Sequence, residues 1–463
     1  MSFKIEKEWL ISLNPATDQE VGRLPISSAE EVSRSVKQAR SALIEWSKKS
    51  FEERATLLEK GLKKLKEEAS IWGRIITDEM GKPLREGIGE ANYAAENTLE
   101  EVIPLARDAI TPQIFEEETL ITTLHYVPRG VVAAITPWNF PASLSLDAIV
   151  PALLMGNTVV YKPSEYVPFV GKKLVETLNA FLPANVLTIL YGDGKVGELL
   201  IRDDISLVAF VGSQSIGRHI MEVQAGKLNP VILELGGKDP MIVLADADLD
   251  QAAKFAVQNS LRNCGQVCVS VERIYVEEKI AAPFEKQVRE LMKDFRMGNP
   301  LEDGVRMGPM VSESQRKKVL DKLEDARKKG AIVEGGTVPK MQGCFLNPAL
   351  VTKVTDDMKL MQEEIFGPVI VLQPVKDSEE AIRKSNQLSY GLGATVWSKN
   401  EDRANQIAIR LEAGMIGINR GLGGASGTPF VGAKQSGIGF FGGIDGMRQF
   451  AQIRKITKNK KPS

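Results

Sequence analysis

The 463-residue chain is expected to fold as an α/β protein with two sheet-centred units in succession and a small hairpin arm. Three observations lead there. From residue 126 onward, short apolar runs alternate with stretches of helical spacing, the pattern of parallel strands covered on both faces. A second series of the same kind begins at residue 231, the two being joined near Glu234-Leu235-Gly236-Gly237. The length, at ~150 residues per domain, leaves room for about three structural units with large cores.

The elements follow in order. Over 28–49, Val32, Val36, Ala39, Leu43 and Trp46 mark one helical face, and Ser28 with Glu31 predicts a capping box. A second amphipathic helix is predicted over 51–68, and Met80-Gly81-Lys82-Pro83 stops the next one. The stretch 108–127 is rich in Thr and Glu, interrupts the first unit and predicts a protruding hairpin. The first series then reads strand 131–136 ended by Pro137, helix 143–155, strand 158–161 ended by Lys162-Pro163, helix 174–181, and strands 186–191 and 207–211. The second reads strand 241–244, helix 249–262, strand 273–276, helix 281–295, strand 369–375 and helix 378–386. The tail beyond Arg448 is short and basic.

Composition narrows the function. Hydrophobic residues at 43% and charged residues at 26% are the mix of a water-soluble globular protein. Lys plus Arg is 59 against 60 for Asp plus Glu, so the basic excess of a nucleic-acid binder is absent and no such partner is expected. Residues 1–9 carry no apolar run of a secretory signal, and no stretch approaches the ~18 apolar residues of a membrane span. A cytoplasmic location without membrane partners is the expectation. Three cysteines, Cys264, Cys268 and Cys344, cannot form a paired framework and point to a reducing compartment. With only His125 and His219, a His-rich metal site is disfavoured and no metal is expected.

Three constellations carry chemistry. In Asn263-Cys264-Gly265-Gln266-Val267-Cys268, the two cysteines four apart make a poor zinc site. Gly265 and Gln266 predict a tight turn presenting Cys268, while Cys264 and Cys344 read as packing residues. In Leu233-Glu234-Leu235-Gly236-Gly237-Lys238, a carboxylate at the end of an apolar strand is costly to bury, its pKa should rise, and it becomes a natural general base; a salt-bridged junction residue is the alternative. Gly212-Ser213-Gln214-Ser215-Ile216-Gly217 follows a strand and opens a helix, a turn that directs N–H groups at an anion, although Gln214 departs from the usual glycine spacing.

Together these segments resemble the aldehyde dehydrogenase superfamily over most of the chain. Ile135-Thr136-Pro137-Trp138-Asn139-Phe140-Pro141 is similar to the family's oxyanion motif, and Tyr161-Lys162-Pro163-Ser164-Glu165 to its cofactor-ribose motif. Leu233 to Lys238 matches the general-base signature, and Gly265 to Cys268 the nucleophile signature. Glu363-Glu364-Ile365-Phe366-Gly367-Pro368 matches the nicotinamide-side motif. The resemblance implies a doubly wound parallel-sheet cofactor domain (1–108 and 129–236), a second α/β catalytic domain (237–436), and a β-hairpin oligomerisation arm and tail (109–128 and 437–463). It further implies a homodimer or homotetramer, with the arm crossing between subunits.

Carried over residue by residue, the resemblance makes Cys268 the nucleophile, with Asn139 and the Cys268 N–H holding the oxyanion and Glu234 activating water to hydrolyse a thioester. Lys162 and Glu165 would hold the adenosine ribose, and Gly212 and Ser213 would lie at the pyrophosphate. Trp138 would line the cleft beside the cofactor, with Leu235 offering its carbonyl to the carboxamide, Glu364 at the nicotinamide ribose and Phe366 against the ring. Glu165 repels a 2′-phosphate, so NAD is the expected cofactor, with NADP possible because Lys162 could meet that phosphate. The tunnel would be lined by Phe140, Ser143, Leu144, Asp147, Val267 and Val269. Succinate-semialdehyde members place a carboxylate-binding Arg where this chain has Asp147, so a neutral or weakly cationic small-molecule aldehyde is expected. The alternatives are a succinate-semialdehyde dehydrogenase, a branch that passes the thioester to coenzyme A, and a non-catalytic binding protein on the same fold. The glycine-rich stretch 419–427 departs from the family's usual loop, and either a tunnel-mouth or a mobile role stands open for it.

Overall fold

A computed structural model describes residues 2–460. Two large sheets organise them. The first has six strands in the order Gly437–Ile438, Val231–Leu235, Leu207–Gly212, Val131–Ile135, Thr158–Lys162, Leu187–Ile189, all parallel except the antiparallel edge Gly437–Ile438. The second has seven, in the order Ile332–Gly335, Ala349–Thr352, Val369–Val375, Val271–Glu277, Asp239–Val243, Gly393–Trp397, Met415–Ile418, again parallel but for the edge Ile332–Gly335.

The continuous apolar runs of the sequence arise because both faces of each sheet are covered. Val132 and Ala134 face one core and Val131 and Ala133 the other, as the two-residue period of a strand requires. Ile242 and Leu244 are likewise divided from Met241 and Val243 in the second sheet. Ser28 with Glu31 opens Ala29–Trp46 as expected, and a second capping box that the sequence reading did not include, Ser50 with Glu53, opens Phe51–Glu67. Val32, Val36, Ala39 and Trp46 are buried on the core-facing stripe. Gly81, at φ +91°, ends Ala69–Met80 in the left-handed conformation.

Several boundaries differ from the sequence expectation. The helix expected over 174–181 begins at Pro168, since proline is well suited to a first helical turn. The hairpin starts at Gln113, because helix Ile103–Ile110 continues past residue 108; its strands are Gln113–Glu116 and Leu120–Pro128, with Ala451–Asn459 paired along the whole second strand. Residues 437–438 lie in the first large sheet, and helix Gly443–Gln449 packs on Ile103–Ile110. An N-terminal antiparallel sheet, Phe3–Glu6, Trp9–Leu13 and Glu20–Pro25, went unforeseen. Among the described residues no helix is long and apolar enough to cross a membrane.

The first sheet sets the position of the site. From Val131–Ile135 the chain adds strands outward to Leu187–Ile189, then returns to add Leu207–Gly212 on the opposite side. A crevice opens beyond the carboxyl ends of strands at such a reversal. The loops leaving those two strands are Thr136 to Phe140 and Gly212-Ser213.

Candidate active site

A cavity of about 1120 Å³ lies at this reversal. Pro137, Trp138 and Asn139 line it from one loop and Gly212 and Ser213 from the other, while Glu234, Leu235 and Gly236 enter from the end of the adjacent strand. The second sheet contributes from its amino-terminal edge: Val267, Cys268 and Val269 precede Val271–Glu277. Thus Cys268, Glu234 and Asn139, far apart in sequence, open on one space.

The Cys268 turn is built by backbone conformation. Asn263, Cys264 and Gly265 are successive left-handed residues at φ +51°, +58° and +69°. A Cβ on Gly265 would sit 2.0 Å from the Gly367 carbonyl oxygen, so this turn and the Glu364-to-Pro368 loop touch backbone to backbone. A Cβ on Gly237 would lie 2.5 Å from the Cys268 carbonyl oxygen, and one on Gly236 would lie 2.5 Å from the Glu364 carboxylate. The glycine pair after Glu234 is therefore explained by close approach on both sides. Cys268 is partly exposed, and burial, then Asp239, Glu234 and Glu364, push its thiol up to about 12. Cys264 and Cys344 are 1% and 2% exposed in the core below the second sheet.

Asn139 is 3% exposed, and its Nδ2 donates to the Gln266 carbonyl at 3.2 Å, which aims the amide at the Cys268 turn. Glu234 is 4% exposed, and neither carboxylate oxygen has a hydrogen-bond partner among the described residues. Desolvation raises its pKa well above the ordinary carboxylate value; the Phe441 backbone opposes the shift and Asp147 adds to it.

Glu364 receives the Gly237 N–H at 3.1 Å, and burial with nearby Glu272 lifts its carboxyl to about 8. A buried ion pair fixes that loop: Lys238 lies 2.7 Å from Glu272, which also accepts from the Ile365 and Phe366 N–H groups at 2.7 and 2.9 Å. Phe366, at φ +52°, meets Trp138 edge-on with ring centroids 5.4 Å apart.

Of the expected cofactor residues, Trp138, Gly212, Ser213, Leu235, Glu364 and Phe366 line the cavity. Lys162 and Glu165 stand outside its lining. Lys162 is buried, its ammonium 3.0 Å from the Pro163 carbonyl and 3.8 Å from Glu165, and burial lowers its pKa. Ser213, itself in the cavity lining, precedes helix Gln214–Ala225 without a side-chain cap, so the first-turn N–H groups have no capping side chain. A buried lysine with unused donors and an uncapped helix end fit a dinucleotide.

All six expected tunnel residues, Phe140, Ser143, Leu144, Asp147, Val267 and Val269, line the cavity. Burial and Glu101 raise Asp147 to about 7. Residues missed from the sequence are Glu86, Glu90, Tyr93, Glu101 and Arg262. Glu101 stands on a π-helical turn, Thr98–Val102, within the helices running from Leu84 to Ile110; such turns are frequent at functional sites but carry no sequence signal. Its carboxylate accepts the Gly427 N–H at 2.9 Å and ties the glycine-rich loop to the tunnel, of which 421–426 form one wall.

Comparison with known proteins bears on the chain as a whole. The model of the aldehyde dehydrogenase family matches residues 4–456. The chain is 37% identical over 450 residues to the glutarate-semialdehyde dehydrogenase of Pseudomonas putida, covering 96% of this chain and 93% of that one. It is 35% identical over 448 residues to an NADP(+) succinate-semialdehyde dehydrogenase of Escherichia coli, covering 95% and 92%. A solved structure of Staphylococcus aureus betaine aldehyde dehydrogenase with NAD+ superposes at a TM-score of 0.94, with 30% identity over 99% of this chain and 92% of that one.

Proposed function

Since the chain belongs to the aldehyde dehydrogenase family and oxidises an aldehyde to the carboxylic acid with NAD(P)+, we propose that Cys268, Asn139 and Glu234 do the chemistry. The carrying observation is that a buried, unpartnered carboxylate, a reachable thiol and an aimed amide open on one cavity. The thiol releases its proton to water as sulfur bonds the aldehyde carbon, and the resulting oxyanion is held by the Asn139 amide and the Cys268 N–H. One such donor is worth ~2.7–4 kcal/mol of barrier. Bound NAD(P)+ supplies the acceptor for the hydride lost as the thiohemiacetal becomes a thioester. Glu234, deprotonated, then takes a proton from water as that water attacks the thioester; the thiolate leaves and the acid is released. Glu234 also argues against transfer to coenzyme A, which needs no water-activating base.

Lys162 and Glu165 would hold the adenosine ribose, Gly212 and Ser213 the pyrophosphate, and Glu364, Leu235, Phe366 and Trp138 the nicotinamide side. Glu165 beside the ribose favours NAD over NADP. The cofactor part spans 1–112 and 129–236 with the edge strand 437–438, and the catalytic part 237–436; the arm works between subunits of a cytoplasmic dimer or tetramer.

The substrate is a neutral or weakly cationic aldehyde, since Glu86, Glu101 and Asp147 all line the cavity without a lysine or arginine paired to them among the described residues. A dicarboxylic semialdehyde is the second reading, favoured by Arg262 in the same lining, over the Phe140 ring at 5.3 Å. NADH formation with aliphatic, amino and dicarboxylic aldehydes, with Cys268→Ala as control, tests both. An active C268A overturns the nucleophile, and a clear preference for succinate semialdehyde overturns the charge argument.

A further inference from the structure

Behind Asn139 lies a charge pair that the reaction itself does not use. Lys82 is 2% exposed and Glu90 8% exposed, with Nζ and Oε2 2.5 Å apart. Left-handed Gly81 and the fixed Pro83 turn the chain so that the lysine enters the interior. Its ammonium donates to the Asn139 backbone carbonyl at 2.9 Å and stands 4.0 Å from the Phe140 ring centroid. Helix Pro141–Leu154 begins one residue later, and Phe140 at its N-cap has no side chain able to satisfy the first N–H groups. Glu90 does so from another helix, accepting from Ala142 at 2.9 Å and Ser143 at 3.4 Å. The pair therefore holds the backbone on both sides of the Asn139 side chain.

We propose that Lys82 and Glu90 are positioning residues for the oxyanion donor, fixing the Asn139 peptide and the helix start so that Nδ2 lies where charge develops. This inference rests on the reading of Asn139 given above. An ion pair held only for stability is often replaceable by apolar residues of similar volume. A positioning pair is not, because the Asn139 carbonyl is left with the Asn263 amide alone, at 3.1 Å, and the helix start loses its carboxylate partner.

The test is a mutant cycle on the full chain, comparing K82M/E90L and the milder E90Q with wild type, each also in an N139A background. Turnover is expected to fall ~10²-fold in K82M/E90L, the scale of one lost oxyanion donor, and less in E90Q. KM for NAD+ should hold, and the melting temperature should fall by no more than a few degrees, the loss of about one helix cap. In the N139A background neither change should slow turnover further, a non-additivity that general destabilisation does not produce. Wild-type turnover in a folded K82M/E90L or E90Q, or an equal fall with and without Asn139, overturns the proposal. If N139A itself runs at full rate, the oxyanion reading and this inference fall together; a slow N139A beside a fast K82M/E90L removes the inference alone.

Discussion

Gly265→Ala is the sharpest perturbation of the Cys268 turn. The added Cβ would stand 2.0 Å from the Gly367 carbonyl oxygen, against the 3.0 Å below which such contacts essentially do not occur, so the two loops must part by about 1 Å. Both partners are backbone, and no side chain can swing aside to absorb the shift. The left-handed conformation at φ +69° adds about 1–2 kcal/mol of strain for a residue with a side chain. A misplacement of ~1 Å between reacting groups costs on the order of 10²-fold in rate, and the same movement disturbs Glu364 and Phe366 across the contact. Turnover of NADH should thus fall ~10²-fold with KM for NAD+ raised, and alkylation of Cys268 by iodoacetamide should change in rate. Gly194→Ala, where nothing lies within 4 Å of the new Cβ, should leave all three unaltered. Wild-type turnover and labelling in G265A would refute the claim that this contact sets the thiol.

Glu234→Gln should form about one NADH per site and then stall as the thioester, a burst that rapid mixing would record and whose absence would remove the water-activating role. In the wild-type protein the raised Glu234 pKa places the rising limb of hydrolysis nearer neutral pH than for an ordinary carboxylate, because only the ionised form accepts the proton. For Asp147, at about 7, the kcat/KM ratio of an amino aldehyde to an uncharged aldehyde should climb several-fold as pH rises through that value, and D147N should flatten it. Gly236→Ala pushes on the Glu364 carboxylate, a movable side chain, so KM for NAD+ should rise about tenfold for a stability loss of ~1 kcal/mol or less, read by titration and denaturant melts. Buried Glu79 accepts from Ser12, Phe169 and Val170, and burial raises it to about 8. Its contribution is whole below the unfolded value near 4.5 and is lost as pH rises toward 8; E79Q should flatten that slope in denaturant melts at several pH values.

Much of the site was legible in the sequence because its chemistry is written in contiguous runs. A carboxylate ending an apolar strand and followed by two glycines could be read as a buried base, and the glycines prove to be demanded by Glu364 and by the Cys268 carbonyl. The two apolar series were equally plain, since strands buried on both faces carry no polar interruption. What escaped was pairing at a distance. Glu90 and Glu101 sit on ordinary amphipathic helical sequence, and only packing and a π turn direct them inward. The N-terminal sheet escaped because Trp9–Leu13 is only five residues long and, with four successive residues buried, lacks the alternation that marks a half-exposed strand. The edge strand Gly437–Ile438 is two residues long and has no periodicity to read.

That short edge strand has a consequence for biosynthesis. It completes the sheet beside the strand holding Glu234, and the Ser436 hydroxyl bonds the Gly236 carbonyl across 200 residues of chain. While a ribosome is still translating the second unit, the strand of Glu234 therefore has a bare side of unpaired amides, open to pairing with any neighbouring nascent chain. Maturation of the pocket must wait for the last of the polypeptide to emerge, so prematurely terminated products lacking residues beyond about 430 should be captured by chaperones or aggregate, never accumulating as slow enzyme.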